Sequence, residues 1–148
     1  MSGFLGLVPM VRLRLLNLAL KAAYPSDGLL EAVVDTGYEG FVAVPNSVFS
    51  ALRLDEMRTL RATVEVADGR KVSSKVAYGT VKVEGMRVEV DGPVETVEGL
   101  SEVLVGVRLL SEFRVTLDYC LRMLSVDPCS ASETSDNGKT RPLPKVKG

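Results

Sequence analysis

The sequence contains no histidine and no tryptophan, and it has only two cysteines, Cys120 and Cys129, among 148 residues. Without histidine, this pair of thiols resembles no zinc, haem or iron-sulfur pattern, so we expect no metal and no cofactor. We interpret both cysteines as reduced thiols of a cytosolic protein. Cys120 follows a strand-like run and is expected in the core, whereas Cys129 begins a polar region.

The sequence also lacks an excess of charge of either sign. It has 18 lysines and arginines and 19 aspartates and glutamates, which gives a formal net charge of -1. No basic stripe is available for nucleic acid, so we expect no nucleic-acid partner. The apolar residues 1–24 are interrupted by Pro9 and carry Arg12, Arg14 and Lys21. This stretch therefore predicts neither a signal peptide nor a membrane span, and we expect a cytoplasmic protein without a membrane partner.

Valine and leucine dominate the apolar residues, and frequent glycines divide the chain into short runs, which favours strands over long helices. Val11, Leu13 and Leu15 alternate with two arginines, which predicts a first strand. Residues 29–34 predict a second strand that ends at Asp35.

Two successive hairpins and two short helices are predicted after Asp35. The alternating runs 64–66, 81–83 and 86–90 are separated by Asp68-Gly69 and Glu84-Gly85, which favour tight turns. One helix is expected after Pro45, with Asn46 or Ser47 as its N-cap, and another after Gly106.

The length is suited to one domain. We predict an N-terminal segment over residues 1–10, a folded domain over 11–126, and a disordered polar tail over 127–148, where apolar periodicity is lost.

Two motifs carry the functional information. The first is "VVDTGYEGFVAVP", which contains Asp35-Thr36-Gly37, and the second, roughly seventy residues later, is "VLVGVRLLSEFRVTLD". In this order they resemble the retropepsin-like (clan AA) aspartic proteases, and most closely the small stand-alone prokaryotic type. The resemblance extends over about residues 11–126, whereas the triplet alone would be a weak signal.

This resemblance implies an all-β, closed or semi-closed barrel with one or two short helices, assembled as a homodimer. Each chain supplies one Asp35, so the two copies would meet on the two-fold axis. Two carboxylates a few ångströms apart cannot both ionise, and the aspartic-protease dyad is the standard example of such a pair acting as general base and general acid. Thr36 would tie the two active-site turns together, and Gly37 would let the backbone approach the carboxylates.

The resemblance also implies the substrate-binding residues. Tyr38 would contact the substrate, Glu39 would lie near the rim of the site, and the hairpin at Asp68, Gly69 and Arg70 would form the flap over an extended peptide or protein substrate. The flap has a single glycine, which predicts a stiffer or more charged lid than in the glycine-rich viral members.

Val107 and Arg108 stand where the family commonly has arginine, aspartate or asparagine. A Glu39–Arg108 ion pair could replace the usual tie, and a solvated surface is the open alternative. Among the aromatic residues, Tyr38 and Phe41 are expected in the core or in a pocket wall, and Tyr78 in the core.

The leading hypothesis is an aspartic endopeptidase. A catalytically weak or inactive dimer that binds extended peptides is one alternative, and an unrelated β-barrel interaction module is another.

Overall fold

The computed structural model describes residues 3–129. Strands dominate this part of the chain, with two short helices and a 3-10 turn at Leu54–Glu56, which confirms the all-β prediction. The strands are β1 Gly3–Leu5, β2 Val8–Asn17, β3 Ala22–Tyr24, β4 Leu30–Val34, β5 Val42–Val44, β6 Leu60–Glu65, β7 Lys71–Val83, β8 Val90–Val97, β9 Leu104–Val105, β10 Phe113–Asp118 and β11 Met123–Pro128. The helices are α1 Asn46–Ala51 and α2 Val107–Leu110.

All the strands belong to one sheet with the order β10-β11-β1-β2-β4-β9-β5-β8-β7-β6, and β3 joins β2 beside β4. The long strand β2 also pairs with β7. Leu13 of β2 lies opposite Leu30 of β4 and also opposite Val83 of β7. The strands β4 and β7 therefore pair with opposite edges of β2. The hydrogen-bonded path from β2 through β4, β9, β5, β8 and β7 therefore returns to β2.

The core lies on the inner face of this path. In β2 the predicted alternation is confirmed, since Val11, Leu13 and Leu15 are buried while Arg12 and Arg14 are half-buried. β5 is buried at every residue because it lies between two other strands and is covered on both faces. Leu109 of α2 is buried, and Leu110 and Phe113 pack against the same core.

The two ends of the described chain meet in the sheet. β1 pairs with both β2 and β11, and the latter contact joins Gly3 to Met123. The predicted N-terminal segment 1–10 thus contributes β1 and the start of β2 to the sheet, and β11 continues to Pro128. The rest of the predicted tail, residues 130–148, lies outside the described residues.

Both predicted turns are present. Asp68-Gly69 joins β6 to β7 and has Gly69 at φ +88°, where glycine is favoured. Glu84-Gly85 ends β7, but the predicted strand from Met86 is wrong because β8 begins only at Val90. The apolar alternation does not correspond to a strand here, since Val88 is exposed while Met86 and Val90 on either side of it pack against the core.

The helix after Pro45 is confirmed, although Pro45 itself occupies the N-cap position instead of either polar residue that follows it. Two burial predictions are wrong. Cys120 is exposed because it lies in the turn between β10 and β11. Tyr78 is 62% exposed because its neighbour Ala77 takes the inward position of β7. No helix within residues 3–129 is long and apolar enough to cross a membrane.

Candidate functional site

The Asp35 loop joins two strands that are held apart by a third. Asp35 directly follows β4, as predicted, and the loop leads to β5. Between them lies β9, parallel to β4 and antiparallel to β5. The Asp35 amide donates to the Val105 carbonyl at 2.9 Å, so the start of the loop is fixed against the end of β9.

Hydrogen bonds within the loop orient the Asp35 carboxylate. The Gly37 amide donates to Asp35 Oδ1 at 3.0 Å, and the Tyr38 amide donates to the Asp35 carbonyl at 3.1 Å. Asp35 is half-buried, whereas Thr36 and Gly37 are exposed. Within residues 3–129 the exposed Thr36 hydroxyl has no hydrogen-bond partner.

The two sequence motifs contact each other directly. The amides of Val107 and Arg108 donate to the carbonyls of Tyr38 and Gly40, at 2.8 Å and 3.1 Å. A Cβ atom at Gly106 would lie 2.2 Å from the Gly40 carbonyl oxygen, so only glycine permits this approach. The start of α2 is therefore a rigid support beneath the loop.

Glu39 and Arg108 are both exposed. No ion pair between them exists among the described residues. The tie between these segments is formed by backbone hydrogen bonds instead, which favours the solvated-surface alternative for both side chains.

Tyr38 contacts Glu95, a residue that the sequence motifs did not identify. Its hydroxyl donates to Glu95 Oε1 at 2.7 Å, and the Ser74 hydroxyl donates to Glu95 Oε2 at 3.2 Å. Burial, and then the hydrogen bond to Glu95 and its charge, raise the pKa of the Tyr38 hydroxyl far above its ordinary value. Tyr38 therefore remains a hydrogen-bond donor at any physiological pH.

A cavity of about 530 Å³ adjoins the loop at Tyr38. Its walls come from the β6–β7 hairpin, from β8 with the turn that follows it, and from β5 and β9. The lining residues are Tyr38, Ala43, Val64, Glu65, Val66, Arg70, Glu95, Val97, Glu98, Gly99, Leu100 and Leu104.

Only two of the predicted substrate-binding residues, Tyr38 and Arg70, line this cavity. Glu39, Asp68 and Gly69 do not, and neither do the three residues of the triplet. Asp68 instead stabilises the tip of the hairpin, where its two carboxylate oxygens accept from the Arg70 amide at 2.9 Å and from Arg70 Nε at 2.8 Å. These bonds lower the pKa of the Asp68 carboxyl. Among residues 3–129 no group of three or more histidine, cysteine or acidic side chains could hold a metal ion.

The fold and the site define a β-rich protein with an Asp-Thr-Gly loop fixed beside a cavity. The chain is 34% identical over 126 residues to an uncharacterized protein of Archaeoglobus fulgidus, a match that covers 85% of this chain and 98% of the archaeal protein. The chain belongs to the same family as that protein. No family model matches the sequence, and no solved structure matches it.

Proposed function

We propose that the protein is a retropepsin-like aspartic endopeptidase that acts as a homodimer. The observation that carries this proposal is the Asp35 loop, which is fixed by β9 and α2 while its Thr36-Gly37 turn remains at the surface. A rigid carboxylate on an exposed turn is suited to meet a second copy of itself.

The sheet topology is consistent with this class. The path that leaves β2 through β4 and returns to it through β7 supports a closed barrel, whose interior would hold the buried apolar side chains of β2, β5 and β8. The β6–β7 hairpin contributes Val66 and Arg70 to the cavity beside Tyr38, which supports a role for this hairpin as a flap.

In the proposed mechanism, one Asp35 from each subunit forms a pair that shares a proton. The ionised member removes a proton from water, whose oxygen attacks the peptide carbonyl carbon, while the protonated member donates its proton to the carbonyl oxygen. In the resulting tetrahedral intermediate, the carboxyl that received the water's proton donates it to the nitrogen as the carbon–nitrogen bond breaks. The other carboxylate takes a proton from a hydroxyl of the intermediate, so the carboxylic acid product forms, the amine leaves, and the pair again shares one proton. The Gly37 amide, which contacts Asp35 Oδ1 within one chain, keeps that carboxylate in place.

A peptide-binding protein without catalysis is the second candidate. It is supported by the cavity lining, which includes Tyr38 and Arg70 but none of Asp35, Thr36 and Gly37. The proposal in either form includes a peptide or protein ligand and a cytoplasmic location.

The decisive experiment compares wild type with Asp35→Asn on a peptide library. We expect wild type to cleave and Asp35→Asn to lose at least roughly a hundredfold in kcat/KM, because the amide can neither accept nor supply the catalytic proton. Asp27→Asn, which removes an exposed carboxylate in the β3–β4 connection, beyond the opposite end of β4 from Asp35, is the matched control and should remain active.

Cleavage that persists in purified Asp35→Asn would exclude the protease. Binding of peptides by both forms with cleavage by neither would establish the second candidate. Sedimentation velocity should show a dimer in both cases, and a monomer at every accessible concentration would exclude the shared site.

A further inference from the structure

Glu95 is a half-buried carboxylate in the wall of the cavity, with both oxygens held in place. Oε1 accepts from Tyr38 and Oε2 accepts from Ser74, itself a buried residue. Both donors are neutral hydroxyls, so they orient the carboxylate without cancelling its charge. Among the described residues no cation forms an ion pair with Glu95.

The rest of the cavity adds no free positive charge. Arg70 is the one cationic residue in the lining, and its guanidinium is already paired with Asp68 at 2.8 Å. Two more carboxylates, Glu65 and Glu98, line the cavity from exposed positions. The cavity thus has an excess of negative charge that its own residues do not balance.

Apolar side chains form most of the remaining wall. Val66 comes from the flap side, Val97 from the end of β8, and Leu104 from β9. A ligand group that fits these surroundings has an aliphatic stem and a cationic end, which is the structure of a lysine or arginine side chain.

We propose that this cavity binds a lysine or arginine side chain of the peptide, with Glu95 as the residue that determines this specificity. The assignment of a peptide ligand rests on the proposed function. The stem of the bound side chain lies against the apolar wall, and its cationic end replaces solvent at the Glu95 carboxylate.

Tyr38 is the positioning residue for this interaction. It lies in the same loop as Asp35 and donates to Glu95, so it connects the bound side chain to the loop that carries the proposed catalytic carboxylate. Its raised pKa supports this role because a neutral hydroxyl continues to donate.

The test uses fluorescently labelled peptides that differ only in having lysine or norleucine at one position, which is moved along the peptide. Binding is measured by anisotropy with Asp35→Asn, so that cleavage does not interfere. At one position we expect lysine to bind about tenfold more tightly than norleucine, the effect of one charge-assisted contact. When Glu95→Gln is added, the lysine and norleucine peptides should bind about equally tightly. The lysine preference should remain when Glu102→Gln is added instead, because Glu102 is an exposed carboxylate outside this cavity.

Tyr38→Phe gives a second variant in case Glu95→Gln does not fold. It should reduce the lysine preference severalfold by releasing the carboxylate, whereas Tyr78→Phe on the exposed face of β7 should not. Equal binding of the two peptides at every position, no binding of either, or a preference that survives Glu95→Gln would overturn the inference. If the protein never cleaves but binds lysine peptides through Glu95, the protease proposal fails and this inference stands.

Discussion

Gly106 is the residue at which the two sequence motifs come closest. Its hypothetical Cβ atom would lie 2.2 Å from the Gly40 carbonyl oxygen and 2.6 Å from Tyr38 Cδ2. One of these neighbours is backbone, so the strain cannot be relieved by a side-chain rotation alone.

We therefore expect Gly106→Ala to destabilise the protein by about 1–3 kcal/mol and to displace the Asp35 loop. Urea denaturation measures the first effect, and amide chemical shifts of Gly37 and Tyr38 measure the second. Gly3→Ala is the matched control, because a Cβ there meets nothing within 4 Å. Equal stability of the two variants would show that the contact is not a constraint.

The second prediction concerns Tyr38 and the stability of the fold at alkaline pH. Its folded pKa lies above its ordinary value of about 10, so the unfolded state ionises first as pH rises. The contribution of Tyr38 to stability is complete below pH of about 10 and is lost progressively above it.

In Tyr38→Phe the free energy of unfolding should be about 1 kcal/mol lower at neutral pH, through loss of the hydrogen bond to Glu95. It should also fall less steeply above pH of about 10 than in wild type. Urea titrations at several pH values test this, with Tyr78→Phe as the exposed control. An unchanged alkaline slope in Tyr38→Phe would contradict the prediction.

At the same scale, sequence located the loop but not its partners. Asp35 was predicted at a strand end because apolar runs flank it on both sides, and this is a local pattern. Glu95 and Ser74 were missed, since a polar residue in an alternating strand looks like part of a solvated face. Only the packing of β7 and β8 beside the loop shows that Glu95 meets Tyr38 and that Ser74 meets Glu95.

Among the elements, α1 depends on a tie to β2. Asn17, buried at the end of β2, donates from Nδ2 to the carbonyl of Leu52, the C-cap residue of α1, at 2.8 Å. Its Oδ1 also accepts from the Leu20 amide at 3.3 Å. One side chain thus fixes the helix end and the turn that follows β2.

We expect Asn17→Ala to cost about 1–3 kcal/mol of unfolding free energy, because the Leu52 carbonyl loses its side-chain donor in a buried environment. Ser47→Ala, an exposed change on the same helix, should stay within about 0.5 kcal/mol of wild type. Thermal or urea unfolding followed by circular dichroism measures both. A cost in Asn17→Ala no larger than in Ser47→Ala would contradict the proposed tie.

Hairpins and short helices were predictable because their signals are local, as at Asp68-Gly69 and after Pro45. The position of β9 was not, since its two residues lie between β4 and β5, which are far away in sequence. A strand this short has no period of its own, and its pairing is decided by the packing around it.

For the whole molecule, pairing between strands that are distant in sequence explains why residues 1–10 were predicted to lie outside the folded domain. β1 is short, contains a glycine, and pairs with β11 at the opposite end of the described chain. Non-local pairing of this kind leaves no mark in a local hydrophobic pattern.

β1 should therefore be required for full stability. It joins β11 to β2, and its Phe4 side chain packs against the core and meets the Tyr119 ring edge-on, with centroids 5.1 Å apart. Deleting residues 1–7 removes this bridge and exposes an edge of β2, so we expect a loss of about 2–4 kcal/mol from lost aromatic burial and contact. Hydrogen exchange should show the largest loss of protection in the β10–β11 hairpin, because β1 is its connection to the rest of the sheet.

Leu7→Ala, a change at a side chain that is 68% exposed in the β1–β2 turn, is the control and should leave both measurements nearly unchanged. If the deletion left the melting temperature and the exchange pattern as in wild type, the β10–β11 hairpin would have to be held by contacts other than β1, and residues 1–7 would lie outside the folding unit as the sequence pattern alone predicted.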